Sequence, residues 1–514
     1  MKKQLNLSVI VLLTALLVGC DVATKEGYYY EMYYDNAIMG VFPEMELPPS
    51  GDRFDEIVDN PFVKTADQPV STFSVDADGA AYGIMRKYVR NRYNVAPSSA
   101  RIEEYLNYFT FDYPSPTDNH SVAINGEVGV CPWNTSHRLL RLGVKGKSLD
   151  GNEMPKANYV FLIDVSGSMD SDDKIELLKS GLIELTDRLN PSDRISLITY
   201  SGVVKKLLES TPAKEADKIK KAIKKLTAYG STNGGSALKM AYQEALANFI
   251  PDGNNRVILG TDGDFNVGVT NTDSLISMVE QFARKGIYMT CCGFGTGNLN
   301  DAMMERVSNA GNGTYYYIDC EDEMMKVFVH ERERFCAVAS DAKCQVTFDS
   351  AFVSAYRLIG YENRVMDNED FEDDTKDAGE IGAGQTITAL YEVVPTEWFD
   401  RCFVESKTNR HTFATFDFRY KKSLSEASLP LQTTIAVEDM YDSSLNLLPT
   451  SENFRFAAGV VSYGMVIRNS PYKGDATIES AMTLVDGART FDPHGYRKEL
   501  VSLMAAYNQN LEKE

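Results

Sequence analysis

Between about residues 157 and 335 the chain repeats one grammar, an apolar run followed by an amphipathic helix, and few folds accommodate it. Residues 159–163 form the first apolar run, and Ile175, Leu178, Leu182, Leu185 and Leu189 then recur at helical spacing. Residues 194–200 read as the next strand. Residues 213–226 and 236–249 read as helices, the second stopped at Pro251, and 256–259 as a strand. A helix over 274–285, a strand over 287–294, a helix over 299–310 and a strand over 315–318 complete the series. Strands that are apolar throughout are buried on both faces. The pattern therefore predicts an α/β, Rossmann-like domain over 157–335, a mostly parallel sheet with helices on both faces.

The flanks follow other periods. In residues 121–146, Leu140, Leu142 and Val144 alternate with Arg141, Gly143 and Lys145, a half-buried strand, and Val122 and Ile124 begin a similar one. Period two returns over 340–440. Ala414, Phe416, Phe418 and Tyr420 oppose Thr415, Asp417 and Arg419, while Ile387, Ala389, Tyr391 and Val393 face away from Thr386, Thr388 and Glu392. This is an antiparallel all-β unit. Pairing with 121–146 would give a β-sandwich split in sequence by the α/β domain. A short strand at 71–75 precedes helices at 81–91 and 100–108, and helices return at 453–468, 478–485 and 495–508. With 514 residues, 43% of them hydrophobic, the chain can bury several such units. The expected layout is a signal peptide at 1–19, a tether at 20–60 and an N-terminal helical flank at 61–120. A β segment at 121–156, the α/β domain at 157–335, a β-rich domain at 336–440 and a C-terminal helical region at 441–514 follow.

The first twenty residues stand apart from the fold. Lys2 and Lys3 precede an apolar run over 7–18 that ends in Leu17-Val18-Gly19-Cys20. This resembles the lipobox of bacterial lipoproteins, which implies cleavage before Cys20 and lipidation of that cysteine. Buried acyl chains contribute about 0.8 kcal/mol per CH₂ to membrane anchoring. The expected location is the cell membrane or outer membrane, facing away from the cytoplasm. The formal net charge of −21 repels phosphate backbones and excludes nucleic acid as a natural partner. The seven other cysteines are scattered with no C-x-x-C pair, which argues against zinc and thioredoxin chemistry. Cys291 and Cys292 lie in an apolar strand and read as small core residues.

In an open α/β sheet, ligands bind outside the carboxyl ends of the strands. Three polar clusters fall on that edge: Asp164-Val165-Ser166-Gly167-Ser168, Gly230-Ser231-Thr232-Asn233-Gly234-Gly235, and Gly260-Thr261-Asp262-Gly263-Asp264. They offer two carboxylates, Asp164 and Asp262, and three hydroxyls, Ser166, Ser168 and Thr232. Oxygen donors of this kind suit a hard divalent cation, Mg²⁺ first, with Ca²⁺ or Mn²⁺ also served. Hydroxyl ligands leave the ion only partly neutralised, so it retains an appetite for a carboxylate from another molecule. The order and spacing resemble the metal-ion-dependent adhesion site of von Willebrand factor type A (VWA) domains. That resemblance implies direct ligation by Ser166 and Ser168, ligation by Thr232 in the engaged site, and direct or water-mediated roles for Asp164 and Asp262.

A narrower likeness, to a bacterial family of VWA lipoproteins, covers roughly 60–510. It is carried by Ala66-Asp67-Gln68-Pro69-Val70-Ser71-Thr72-Phe73-Ser74, by Cys131-Pro132-Trp133-Asn134, by the run from Thr261 to Gly268 and by Leu358-Ile359-Gly360-Tyr361-Glu362-Asn363-Arg364. Gly79, where that family has Thr, and Asn233, where a small residue is usual, depart from its pattern. The function implied is metal-dependent protein binding at the cell envelope, to a partner presenting Asp or Glu. One alternative is an envelope scaffold in which the metal is structural. The other is a metal-dependent hydrolase, disfavoured because no H-E-x-x-H, P-loop or G-x-S-x-G stands out and no second Asp follows Asp164 at two residues. Asp76, Asp78 and the acidic stretch 367–380 could hold a second Ca²⁺, but without a full ligand pattern they read as solvated or capping carboxylates.

Overall fold

The computed structural model describes residues 51–151, 153–230, 237–263, 272–399, 401, 410–441 and 447–511. Its central sheet has six strands in the order Tyr315–Ile318, Ile287–Phe294, Asn254–Thr261, Ala157–Asp164, Arg194–Tyr200, Val204–Pro212. All neighbours are parallel except the last pair. Every residue of Ala157–Asp164 is buried, as a strand covered on both sides requires. Val160, Leu162 and Leu259 pack under Leu238, Tyr242, Leu275 and Met304 on one face. Phe161 and Ile163 meet Leu178, Leu182, Leu185 and Ile219 on the other.

Two details differ from the sequence reading. The edge strand Val204–Pro212 was not anticipated, because Lys205, Lys206 and Glu209 face water and break up its apolar pattern. The helix expected over 213–226 is shorter, a 3-10 turn at Ala213–Glu215 followed by Ala216–Ile223. Its exit tightens into three-residue hydrogen bonds from Lys225 N to Ala222 O and from Leu226 N to Ile223 O.

The β-rich regions do pair. Thr386–Pro395 runs antiparallel to Arg138–Gly146, with Tyr391 opposite Leu140. These two strands sit in a five-stranded sheet with Val63–Lys64, Val353–Ile359 and Val122–Val130. A second sheet, built on Ala337–Phe348 and Thr412–Lys421, closes a sandwich over Leu140, Val144, Tyr391, Val346, Phe416 and Phe418. Val70–Ser74 pairs with Ala337–Phe348, so this strand belongs to the sandwich and not to a helical flank.

The alternation in Arg138–Gly146 and Thr386–Pro395 predicted one solvated face, and the structure corrects this. Arg141, Thr386, Thr388 and Glu392 are all buried. The helix Ile102–Asn107 and the chain after it cover them: Asn107 Oδ1 accepts from Thr388 N at 2.9 Å, and Tyr113 Oη lies 2.9 Å from Thr388 Oγ1. Arg141 stacks on the Tyr113 ring, 4.8 Å from its centroid.

The helices from the two ends of the chain form one layer, not two regions. Ile102–Asn107 packs on Glu452–Arg468, Glu452–Arg468 on Ile478–Asp486, and Ala80–Arg90 on Tyr496–Leu511. Ala80–Arg90 also lies on the edge strand Tyr315–Ile318, where Gly83 permits the approach: a β-carbon there would stand 2.7 Å from the Tyr317 carbonyl oxygen.

Candidate metal centre

Asp164 ends its strand, and Asp262 follows the neighbouring strand Asn254–Thr261 directly. The parallel register sets Ile163 opposite Gly260, so both carboxylates emerge at the same carboxyl edge. Asp164 Oδ1 accepts from Ser166 N at 2.8 Å, a turn that folds the loop back over the strand end. Asp164 Oδ2 accepts from the Thr261 hydroxyl at 3.2 Å, linking the two strand ends. Ser166 Oγ and Ser168 Oγ stand 3.0 Å apart. Gly167 N donates to Gly230 O at 3.0 Å, which brings the second loop against the first. Gly263 has φ +110, and a β-carbon on it would meet Leu299 Cα at 2.5 Å, so the third loop turns where only glycine fits. Thr232 and Asp264 lie outside the described residues. The structure thus brings Asp164, Ser166, Ser168 and Asp262 to one edge and places the chain leading to Thr232 beside them.

Asp164 and Asp262 are both fully buried. Burial pushes the Asp164 carboxyl up to about 6; the hydrogen bonds from Ser166 oppose the rise and the Asp262 charge adds to it. Asp262 Oδ2 accepts from the Lys174 ammonium at 2.9 Å, whereas Asp262 Oδ1 is buried and accepts no hydrogen bond from the described residues. A buried carboxylate oxygen without a donor is costly unless a cation faces it. Two carboxylates, one of them with that unbonded oxygen, and two hydroxyls fit a hard divalent ion. Among the described residues no group of three or more His, Cys, Asp or Glu is arranged to hold a metal, so any ion here must rely on hydroxyl donors as well.

Two exposed apolar side chains, Val203 and Tyr229, lie on loops that follow this edge. Tyr229 N is bonded to Val165 O at 2.8 Å, and Val165 N to Tyr200 O at 2.9 Å, just before the turn that carries Val203. Val203 and Tyr229 are 75% and 74% exposed.

Sequence reasoning passed over Thr261 as a partner of Asp164, and over Lys174. The signal for Lys174 was a single lysine in the otherwise acidic run from Asp170 to Glu176. The other acidic candidates have structural partners. Asp76 Oδ1 accepts from Asp78 N at 2.9 Å and its Oδ2 pairs with Arg364 Nε at 3.1 Å. Asp78 Oδ1 accepts from Tyr315 N at 2.7 Å. In the stretch 367–380, Asp373 Oδ1 caps Thr375 N at 2.8 Å. Cys291 and Cys292 are fully buried in their strand, as expected of core residues, and Cys20 and Cys402 fall outside the described residues.

Comparison with known proteins adds to this geometry. Residues 158–329 match the model of the von Willebrand factor type A domain, 48–141 that of "von Willebrand factor", and 333–510 that described as "Uncharacterized protein YfbK, C-terminal". The chain is 35% identical to YfbK of Escherichia coli (strain K12) over 478 residues, covering 89% of this chain and 81% of that protein. It is 34% identical over 168 residues to human inter-alpha-trypsin inhibitor heavy chain H4, but spans only 18% of that protein's length. A solved von Willebrand factor type A protein from Catenulispora acidiphila superposes with a TM-score of 0.44 at 14% identity, over 76% of this chain and 90% of that one.

Proposed function

The chain belongs to the family of Escherichia coli YfbK and carries a von Willebrand factor type A domain, and from that premise we propose that it binds a protein partner through a divalent cation at the carboxyl edge of its central sheet. Asp164, Ser166, Ser168, Thr232 and Asp262 hold the ion, Mg²⁺ by the chemistry of their oxygens, and the partner supplies an Asp or Glu carboxylate. The observation that carries this reading is the buried Asp262 Oδ1, unbonded among the described residues, at the same sheet edge as the paired Ser166 and Ser168 hydroxyls. Val203 and Tyr229 give the partner apolar surface next to the ion, where exclusion of water strengthens the polar contact.

We read the site as one for binding: Ser166 and Ser168 present a pair of hydroxyl oxygens 3.0 Å apart, of the kind a hard cation takes. Acyl chains on Cys20 tether the body to the cell envelope. Among the described residues no helix is long and apolar enough to cross a membrane.

Two measurements test the proposal. Calorimetry of the purified chain should show uptake of Mg²⁺ or Mn²⁺, and Asp164→Ala should abolish it. A partner retained from envelope extract should be lost both on EDTA treatment and with Asp164→Ala, while the melting temperature of the metal-free variant stays near that of the wild type. A large fall in that temperature would instead favour a structural metal in a scaffold, and no ion uptake by the wild type would defeat both readings.

A further inference from the structure

Lys174 is not one of the oxygen donors, yet it makes the closest charge contact to them. Its ammonium donates to Asp262 Oδ2 at 2.9 Å and to the Ser168 carbonyl at 2.8 Å, with the side chain only 13% exposed. The backbone builds this contact. Asp172–Glu176 is a π turn at the entrance to the helix Leu177–Arg188, a local widening often found at functional sites. The turn is pinned through Asp173, which accepts from Ser171 Oγ at 2.7 Å and from Lys87 Nζ at 3.0 Å. The lysine stem then crosses a gap left by Gly295, which has φ +68. A β-carbon on that glycine would stand 2.1 Å from Lys174 Cε. A stem threaded through such a gap is placed by its surroundings and is not a surface chain that happens to reach an acid.

We infer that Lys174 is a resident counter-ion of the metal centre, one that holds Asp262 Oδ2 and weakens the hold of the site on a divalent cation. The inference rests on the metal-site reading above. Asp164 and Asp262 are buried side by side, and the ammonium neutralises one of the two charges, so the edge can fold without a dication. A dication bound by Asp262 must share that carboxylate with a fixed positive charge. Repulsion between a unit charge and a double charge about 6 Å apart lowers affinity about tenfold even at the dielectric constant of water. The same charge leaves the ion short of negative ligands. A carboxylate from a partner then strengthens ion binding, and the ion strengthens partner binding by the same factor.

The test is a calorimetric titration of MnCl₂ into the full chain, comparing the wild type with Lys174→Met, Lys174→Gln and Lys174→Arg. The two neutral variants should bind Mn²⁺ at least about tenfold more tightly, and Lys174→Arg should stay within about threefold of the wild type. The inference is overturned if the neutral variants melt like the wild type yet bind Mn²⁺ no more tightly, for the lysine would then be only a support for Asp262. If Lys174→Met does not fold, Lys174→Gln carries the same criterion. If neither the wild type nor any variant takes up Mn²⁺, the metal-site reading falls and the inference with it. Wild-type uptake that substitution leaves unchanged removes the lysine proposal alone.

Discussion

Glu103 shows what burial does to one side chain in this protein. It lies in the helix Ile102–Asn107, 1% exposed, and among the described residues its Oε2 accepts no hydrogen bond. Gly360, at φ +74, makes room for it: a β-carbon there would stand 2.7 Å from that oxygen. Burial, with the Glu362 charge adding to it and the Arg468 charge opposing, pushes the carboxyl up to about 8. The folded chain therefore keeps a proton that the unfolded chain releases near pH 4.5. Stability from this group is complete below that pH and is lost as pH rises through about 8. Glu103→Gln, a neutral near-isostere, should match the wild type near pH 4.5 and exceed it by on the order of 4 kcal/mol at pH 9, read from urea midpoints at the two pH values. Equal stability of the two proteins at pH 9 would contradict the buried neutral acid. Nothing in the sequence marks Glu103, because a glutamate in a short helix ordinarily faces water. Asp164, Ser166, Ser168 and Asp262 were legible for the opposite reason. Each sits at or just past the end of an apolar strand, and the carboxyl edge of a parallel sheet is fixed by strand order alone. Lys174 was not legible, since its contact depends on a π turn and on the distant Gly295.

At the scale of elements, strands were easiest to read where their surroundings are symmetric. Ile287–Phe294 and Tyr315–Ile318 begin and end where their apolar runs do, because both faces are buried and the run itself is the strand. Thr386–Pro395 was read with the right alternation and the wrong environment. Period two tells which residues share a face but not what lies against it. The helical layer over that face turns Glu392 from a solvated residue into half of a cross-strand ion pair: Arg357 is its register partner, with Nη2 2.9 Å from Glu392 Oε2 and both side chains almost fully buried. The Arg357 guanidinium also lies 4.4 Å from the centre of the Tyr472 ring, so strand and cover are joined at this point. Arg357→Met leaves the Glu392 carboxylate buried with less compensation and should cost about 3 kcal/mol. The double variant Arg357→Met/Glu392→Gln should recover much of that loss, because the stranded charge goes with the partner. Denaturant unfolding of both variants measures this, and an additive double variant would show that the loss comes from packing on Tyr472 instead.

The whole molecule is tied together by a core that ignores the sequence divisions. One apolar cluster runs from Val160, Leu162 and Leu259 of the central sheet through Tyr315 and Tyr317 to Tyr82, Met85 and Tyr105 of the first helices and Phe456, Val460 and Leu500 of the last ones. Sequence could not show this continuity, since its parts lie up to hundreds of residues apart and each part also reads as an ordinary amphipathic helix or strand. At the junction stands Arg86, 1% exposed, donating to Asp319 Oδ2 at 3.0 Å, to Glu323 Oε2 at 2.7 Å and to Tyr108 Oη at 2.8 Å. Asp319 follows the edge strand of the central sheet, so this guanidinium clamps the helical layer to the von Willebrand factor type A domain. Arg86→Met leaves two acids buried on the domain side without their main cation, and should cost about 3–5 kcal/mol. Because the apolar core is continuous across the seam, that loss should lower one cooperative calorimetric transition and not divide it into two. The domain cut free as residues 157–335 exposes Tyr315 and Tyr317, both buried in the intact chain, and should bind a hydrophobic dye and melt below it. Two separate transitions in Arg86→Met, with the isolated domain as stable as the intact chain, would mean that the clamp and not the shared core holds the halves together.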